Sequence, residues 1–263
     1  MKAAPWTGDE RLRRAEWPGS RWFATVQLWR PVDPDTLTTA DVETAALLLS
    51  GTFDLIGGET AWPARGARTS PFAGRPMAVF LPRNTRFRAQ NGSGEILLVA
   101  ARQPAVEEPP AGREGLSHKP LLPLAGSGKA FDPKTGEWLP AEMFPHSPES
   151  LPPRRMQRLQ IGPVAVDRVL ASDYKAATLS LDEAVVPAGA TLRLADVPGR
   201  PRADELLVFA RAPHGATCRV GDTTTAVRDD AVFCLPMPHD DATLCIEAGT
   251  GPVYAVLAYG GKH

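Results

Sequence analysis

The sequence predicts an all-β protein made of two small β-barrels related by an internal repeat. Three observations lead there. Short strand-like runs recur between turn signals. Glycine and proline number 23 and 27 in 263 residues, although 43% of the chain is hydrophobic. Two motifs of the N-terminal half also return, in the same order, in the C-terminal half. The length suits two domains of ordinary size.

Residues 1–19 have no regular texture and are expected to be an extension. Residues 22–29, WFATVQLW, are aromatic and β-branched and form the first expected strand, punctuated by Pro31, Pro34 and Asp35. Residues 45–58 combine an apolar run, a break at Ser50-Gly51, an alternating stretch and a Gly57-Gly58 turn, which predicts two short strands and a hairpin. Residues 76–82 and 94–101 repeat the pattern and complete a barrel over 20–103. Over 104–160 the texture changes to EEPP, GSG and SPESLPPRR, poor material for strand or helix. This is the expected linker, packed on the barrels with Trp138, Met143 and Phe144 as anchors. The second barrel is expected over 161–263. There AVFLP of 78–82 returns as AVFCLP of 231–236, and 94–101 returns as 251–258, at an offset of about 155 residues.

A formal charge of -1 provides no overall field for nucleic acid or an anionic membrane, so neither is expected as a partner. No run approaches the ~18 apolar residues of a membrane span, and residues 1–17 carry charges where a signal peptide has an apolar segment. A soluble, cytoplasmic protein is expected. Cys218, Cys234 and Cys245 form no CxxC pair and are expected to be reduced, with Cys234 and Cys245 opposite each other across a hairpin. No nucleotide-binding glycine motif and no GxSxG elbow is present. Arg65, Arg68, Arg75, Arg83, Arg86 and Arg88 form a dense cluster that either binds a carboxylate or phosphate or simply covers the polar face of strands.

Residues 49–53, LSGTF, and 66–82, GARTSPFAGRPMAVFLP, resemble the bicupin isomerases of deoxy-uronates, the 5-deoxy-glucuronate and 5-keto-4-deoxyuronate isomerase family. The second segment is similar to that family's "GGR-S-FEG-P-A-YLP" stretch, and the likeness extends through residues 204–209 to Gly260-Gly261. The resemblance implies two cupin-type (jelly-roll) barrels and aldose–ketose isomerisation of a deoxy-uronate sugar in inositol or carbohydrate catabolism. It also implies a divalent metal, Zn, Mn or Fe, held in the second barrel by an HxH pair, a Glu and a distal His. Glu205 falls at the carboxylate position and His239 near the distal His, and these two are the implied metal ligands and catalytic residues. Pro198 and Arg200 stand where the HxH histidines belong, so no bound cofactor is expected.

Arg200 and Arg202 are the candidate substrate-binding residues, with Arg200 expected to pair with an inward-facing Glu205. The first barrel, which lacks His and Cys over 22–101, is expected to be structural. Three functions follow. The protein is a sugar-acid isomerase, a non-catalytic degenerate cupin that binds, senses or assembles around a uronate, or a metal-free cupin enzyme of another kind. A small sugar acid is the expected ligand and a homodimer the expected assembly.

Overall fold

The computed structural model describes residues 3–102, 129–132, 137–140, 157–170, 178–237 and 244–261. The first sheet comprises β1 (Thr7–Gly8), β2 (Leu12–Glu16), β3 (Phe23–Trp29), β4 (Asp35–Thr38), β5 (Glu43–Gly57), β6 (Thr60–Gly66), β7 (Ala78–Leu81) and β8 (Arg86–Ala101). Its strands run in the order β1-β2-β3-β8-β5-β6, with β4 on β8 and β7 on β5. A separate hairpin, β9 (Lys129–Asp132) and β10 (Glu137–Pro140), pairs antiparallel. The second sheet comprises β11 (Gln157–Ile161), β12 (Val164–Leu170), β13 (Leu179–Val186), β14 (Thr191–Arg193), β15 (Glu205–Val220), β16 (Thr223–Pro236), β17 (Leu244–Ala248) and β18 (Val253–Gly260). Its order is β11-β12-β13-β18-β15-β17-β14, with β16 on β15.

The internal repeat is topological as well as textual. Strands β3-β8-β5 of the first sheet and β13-β18-β15 of the second occupy equivalent central places. Their runs are mainly apolar because both faces are buried. All eight residues of Val253–Gly260 are inaccessible to solvent. One face of each triplet fills its own barrel, with Trp29, Leu48 and Ile96 in the first and Val208, Ala255 and Leu257 in the second. The other faces meet in a shared core that includes Phe23, Leu47 and Val99 on one side and Leu181, Phe209 and Val256 on the other. At about 1.5–3 kcal/mol for each large apolar side chain, this shared core joins the two barrels firmly.

Four local expectations are corrected. Residues 45–56 are not two strands but part of the single bent strand β5. The bend falls where Gly51 (φ 85°) faces Gly94 (φ 145°), and a Cβ on Gly51 would lie 1.8 Å from the Ser93 carbonyl oxygen. The N-terminal segment is not a bare extension, because β2 pairs with β3 along its length. It also reaches the second barrel, where Ala4 N–H donates to Val232 O (2.9 Å) and the Trp6 indole donates to Asp230 O (3.0 Å). Cys234 and Cys245 are not opposite one another, because β15 lies between β16 and β17. Cys234 faces Leu207, and Cys245 faces Arg193 and Arg219. Residues 157–160, expected as linker, form most of edge strand β11, while Met143 and Phe144 lie outside the described residues.

Asp230 anchors one polar seam between the barrels. Its carboxylate accepts from Arg211 (2.6 and 3.1 Å) and from Arg13, and Arg211 also donates to Glu95 at 2.6 Å. Burial alone would raise the Asp230 pKa, but the two guanidiniums outweigh it and hold it below the ordinary 3.8. A depressed carboxyl contributes stability above its unfolded pKa and loses it as pH falls through the folded one. Asp230→Asn is therefore expected to cost about 1.5–3 kcal/mol at pH 7, a gap that narrows below pH ~3.8. Urea midpoints of both proteins across that range check this.

Candidate functional site

The second barrel carries a buried polar cluster in its otherwise apolar interior. Register places Arg168 on β12 beside Asp182 on β13, and Asp182 beside Leu257 on β18. Alternation then turns Asp182 and Tyr259 to the face that Ala184, Leu257 and Val166 give to the barrel core. Asp182 is fully buried. It accepts from Arg168 Nε and from the Tyr259 hydroxyl, each at 3.2 Å. Arg168 Nη2 also donates to Pro198 O (3.1 Å), which ties the cluster to the 197–204 loop. Burial raises the pKa of Asp182, against the opposing charge of Arg168. Burial and then the Asp182 charge raise Tyr259, so its hydroxyl remains a donor at neutral pH.

Arg200 belongs to the same end of the barrel, where its charge acts on Tyr259. Its Nη1 is buried and has no hydrogen-bond partner among the described residues. An orphaned buried guanidinium N–H is costly, and a ligand acceptor placed there would satisfy it. Arg202, two residues on, is exposed.

Glu205 does not face this interior. It opens β15 on the side shared with Leu207 and Phe209, and that side meets the first barrel. Its carboxylate accepts from the Ser20 hydroxyl and from the backbone N–H groups of Arg21 (3.0 Å) and Trp22 (3.2 Å), with the Cys234 thiol 3.9 Å away. Burial, followed by the Glu205 charge, pushes that thiol up to about 12. The expected Arg200–Glu205 pair is absent among the described residues: the Glu205 carboxylate is engaged by Ser20, Arg21 and Trp22, and Arg200 lies in the loop before β15 with no ion pair to it. His239 lies outside the described residues.

The residues present do not fit the divalent metal that the resemblance implies. Proline and arginine stand at two ligand positions, Glu205 is turned out of the barrel, and Arg168 brings another positive charge. Among the described residues no three His, Cys, Asp or Glu side chains gather as a ligand set.

Sequence reasoning missed Arg168, Asp182 and Tyr259. The available signal was the Asp182-Glu183 pair inside the apolar run LSLDEAVV. Alternation sends adjacent acids to opposite faces, and each then needs a buried partner. Glu183 finds Arg68 of the first barrel, at 2.7 and 3.0 Å.

Residues 23–114 match the model of the KduI/IolB family. No curated protein sequence matches the chain. Among solved structures, an IolB-like protein from Salmonella typhimurium LT2 is similar at 17% identity, covering 92% of this chain and 85% of that one, with a TM-score of 0.61. AerE from Microcystis aeruginosa is similar at 8% identity over 99% and 98% of the two chains, TM-score 0.54. An oxalate decarboxylase from Lactobacillus farciminis, in complex with formate, is similar at 13% identity over 99% and 84%, TM-score 0.52. The fold is all-β with two cupin-type barrels. No described helix is long and apolar enough to cross a membrane.

Proposed function

We propose, for a chain that carries a KduI/IolB-family segment over residues 23–114, that the second barrel binds a sugar acid of the uronate type without a metal. The observation that carries this reading is the buried, unpartnered Nη1 of Arg200 at the end of the barrel where Arg168, Asp182 and Tyr259 converge. A carboxylate placed there accepts a charge-assisted hydrogen bond and relieves the orphaned donor. The Asp182 carboxylate and the Tyr259 hydroxyl oxygen, whose own proton goes to Asp182, supply acceptors for hydroxyl groups. Aldose–ketose isomerisation with Glu205 as ligand or base has no comparable support, because that carboxylate is engaged by Ser20, Arg21 and Trp22. The protein thus acts as a binding or sensing cupin. A cytoplasmic setting agrees with its free cysteines.

The test is titration with D-glucuronate, followed through the methyl resonances of Leu206 and Leu257, which line this interior. Arg200→Gln is expected to weaken the titration about tenfold or more, the scale of one lost charge-assisted hydrogen bond. Parallel assays with 5-deoxy-glucuronate, with and without Mn²⁺ or Zn²⁺, are expected to show no turnover. Metal-stimulated isomerisation would overturn the reading. Metal-free turnover abolished by Asp182→Asn would replace it with an isomerase that uses Asp182 as its base.

A further inference from the structure

We propose that the first barrel holds a second small-molecule site, a pocket between Arg68 and Arg75 that takes the carboxylate of a small organic acid. A cavity of about 310 Å³ lies between Leu48, Met77, Gly66, Gly74 and these two arginines. That volume is at the lower end for small-molecule sites and suits a ligand of sugar-acid size.

The two arginines divide the work. Arg68 is 3% exposed in its side chain and held rigidly. Its Nε donates to Leu48 O at 2.7 Å, and its Nη1 donates to both Glu183 oxygens. Among the described residues its Nη2 has only a long 3.5 Å contact with the Tyr254 hydroxyl, which leaves donor capacity for a ligand. Arg75 is exposed and makes no ion pair or side-chain hydrogen bond among the described residues. Glu183 neutralises Arg68, and no carboxylate among the described residues lines the cavity, so the uncompensated charge there is that of Arg75. A positive rim over a floor of Leu48 and Met77 matches a ligand with one anionic end and a carbon body.

The backbone keeps the space clear. Gly66 (φ 90°) and Gly74 (φ 82°) both adopt the left-handed conformation. A Cβ on Gly66 would lie 2.9 Å from Leu48 Cδ2, and one on Gly74 would lie 3.3 Å from Arg68 Cβ. Of the arginine cluster in the sequence, Arg83 is accounted for by Asp41 at 3.2 Å, whereas Arg68 and Arg75 converge on the cavity.

The Met77 methyl lines this cavity and reports on it independently of the second barrel. Titration of the Arg200→Gln protein with D-glucuronate is expected to shift the Met77 resonance saturably, while neutral D-glucose leaves it unmoved. Adding Arg75→Gln is expected to weaken that titration about tenfold, and Arg75→Lys is expected to retain most of it. An unmoved Met77 resonance in the Arg200→Gln protein would overturn the proposal, as would equal affinity with and without Arg75. Either failure leaves the Leu206 and Leu257 titration of the Arg75→Gln single variant intact, so the second-barrel reading stands or falls separately.

Discussion

Arg68→Leu is expected to lower the unfolding free energy by about 3–5 kcal/mol at neutral pH, because it leaves Glu183 buried without its cation. The pair joins the barrels. Arg68 belongs to the segment after β6, Glu183 to β13, and both side chains are at most 3% exposed. Glu183 also accepts from the Tyr254 hydroxyl at 2.8 Å, so removal of the guanidinium leaves one neutral donor to face a full charge. Burial already raises the Glu183 pKa, with Arg68 pulling the other way. Without Arg68 the folded carboxyl rises further and takes up a proton. A carboxyl raised above its unfolded pKa costs stability as pH climbs from the unfolded value, 4.5, toward the folded one. The penalty of Arg68→Leu should therefore be smallest below pH ~4.5 and grow toward neutrality. Replacing both members, Arg68→Leu with Glu183→Leu, should recover most of the loss, since an apolar pair of similar volume avoids desolvation. Urea unfolding of the two single variants and the double variant at pH 4 and pH 7 reads all of this. A double variant as unstable as the singles would show that lost packing dominates.

Glu205→Ala is expected to cost about 1.5–3 kcal/mol of stability and to leave D-glucuronate binding in both barrels unchanged. The carboxylate caps the turn that leads into β3, taking two backbone N–H groups and the Ser20 hydroxyl, which itself accepts from Phe23 N–H at 2.7 Å. Arg102 completes the corner by donating to Ser20 O at 2.8 Å. Removing the carboxylate strands these donors at the joint between barrels, where Trp22 and Phe23 enter the shared core. Denaturant midpoints and the Leu257 and Met77 titrations separate the two roles. Unchanged stability with lost ligand binding would place Glu205 in the binding site.

The all-β character, the repeat and the two-barrel architecture are legible in the sequence, because period-2 patterning, turn residues and repeated segments are local properties, whereas the single bent β5 and the edge strands β2 and β11 are not. The sequence also carried the family resemblance of the segment around residues 66–82. The direction in which Glu205 points was decided only by tertiary structure. β15 is apolar on both faces over Leu206–Ala210, so its pattern contains no polar face to tell barrel interior from barrel interface. A choice of one residue's parity exchanges the two. The partners of the buried charges were likewise set by the fold. The sequence shows that Asp182 and Glu183 diverge, but Glu183 meets an arginine 115 residues away and Asp182 a tyrosine 77 residues away, and only the packing of two sheets closes such distances. The two cavity-lining glycines stand in the sequence only as members of the family-like segment 66–82. That their missing side chains leave room depends on how closely β5 approaches Gly66 and Arg68 approaches Gly74, distances set by the assembled barrel.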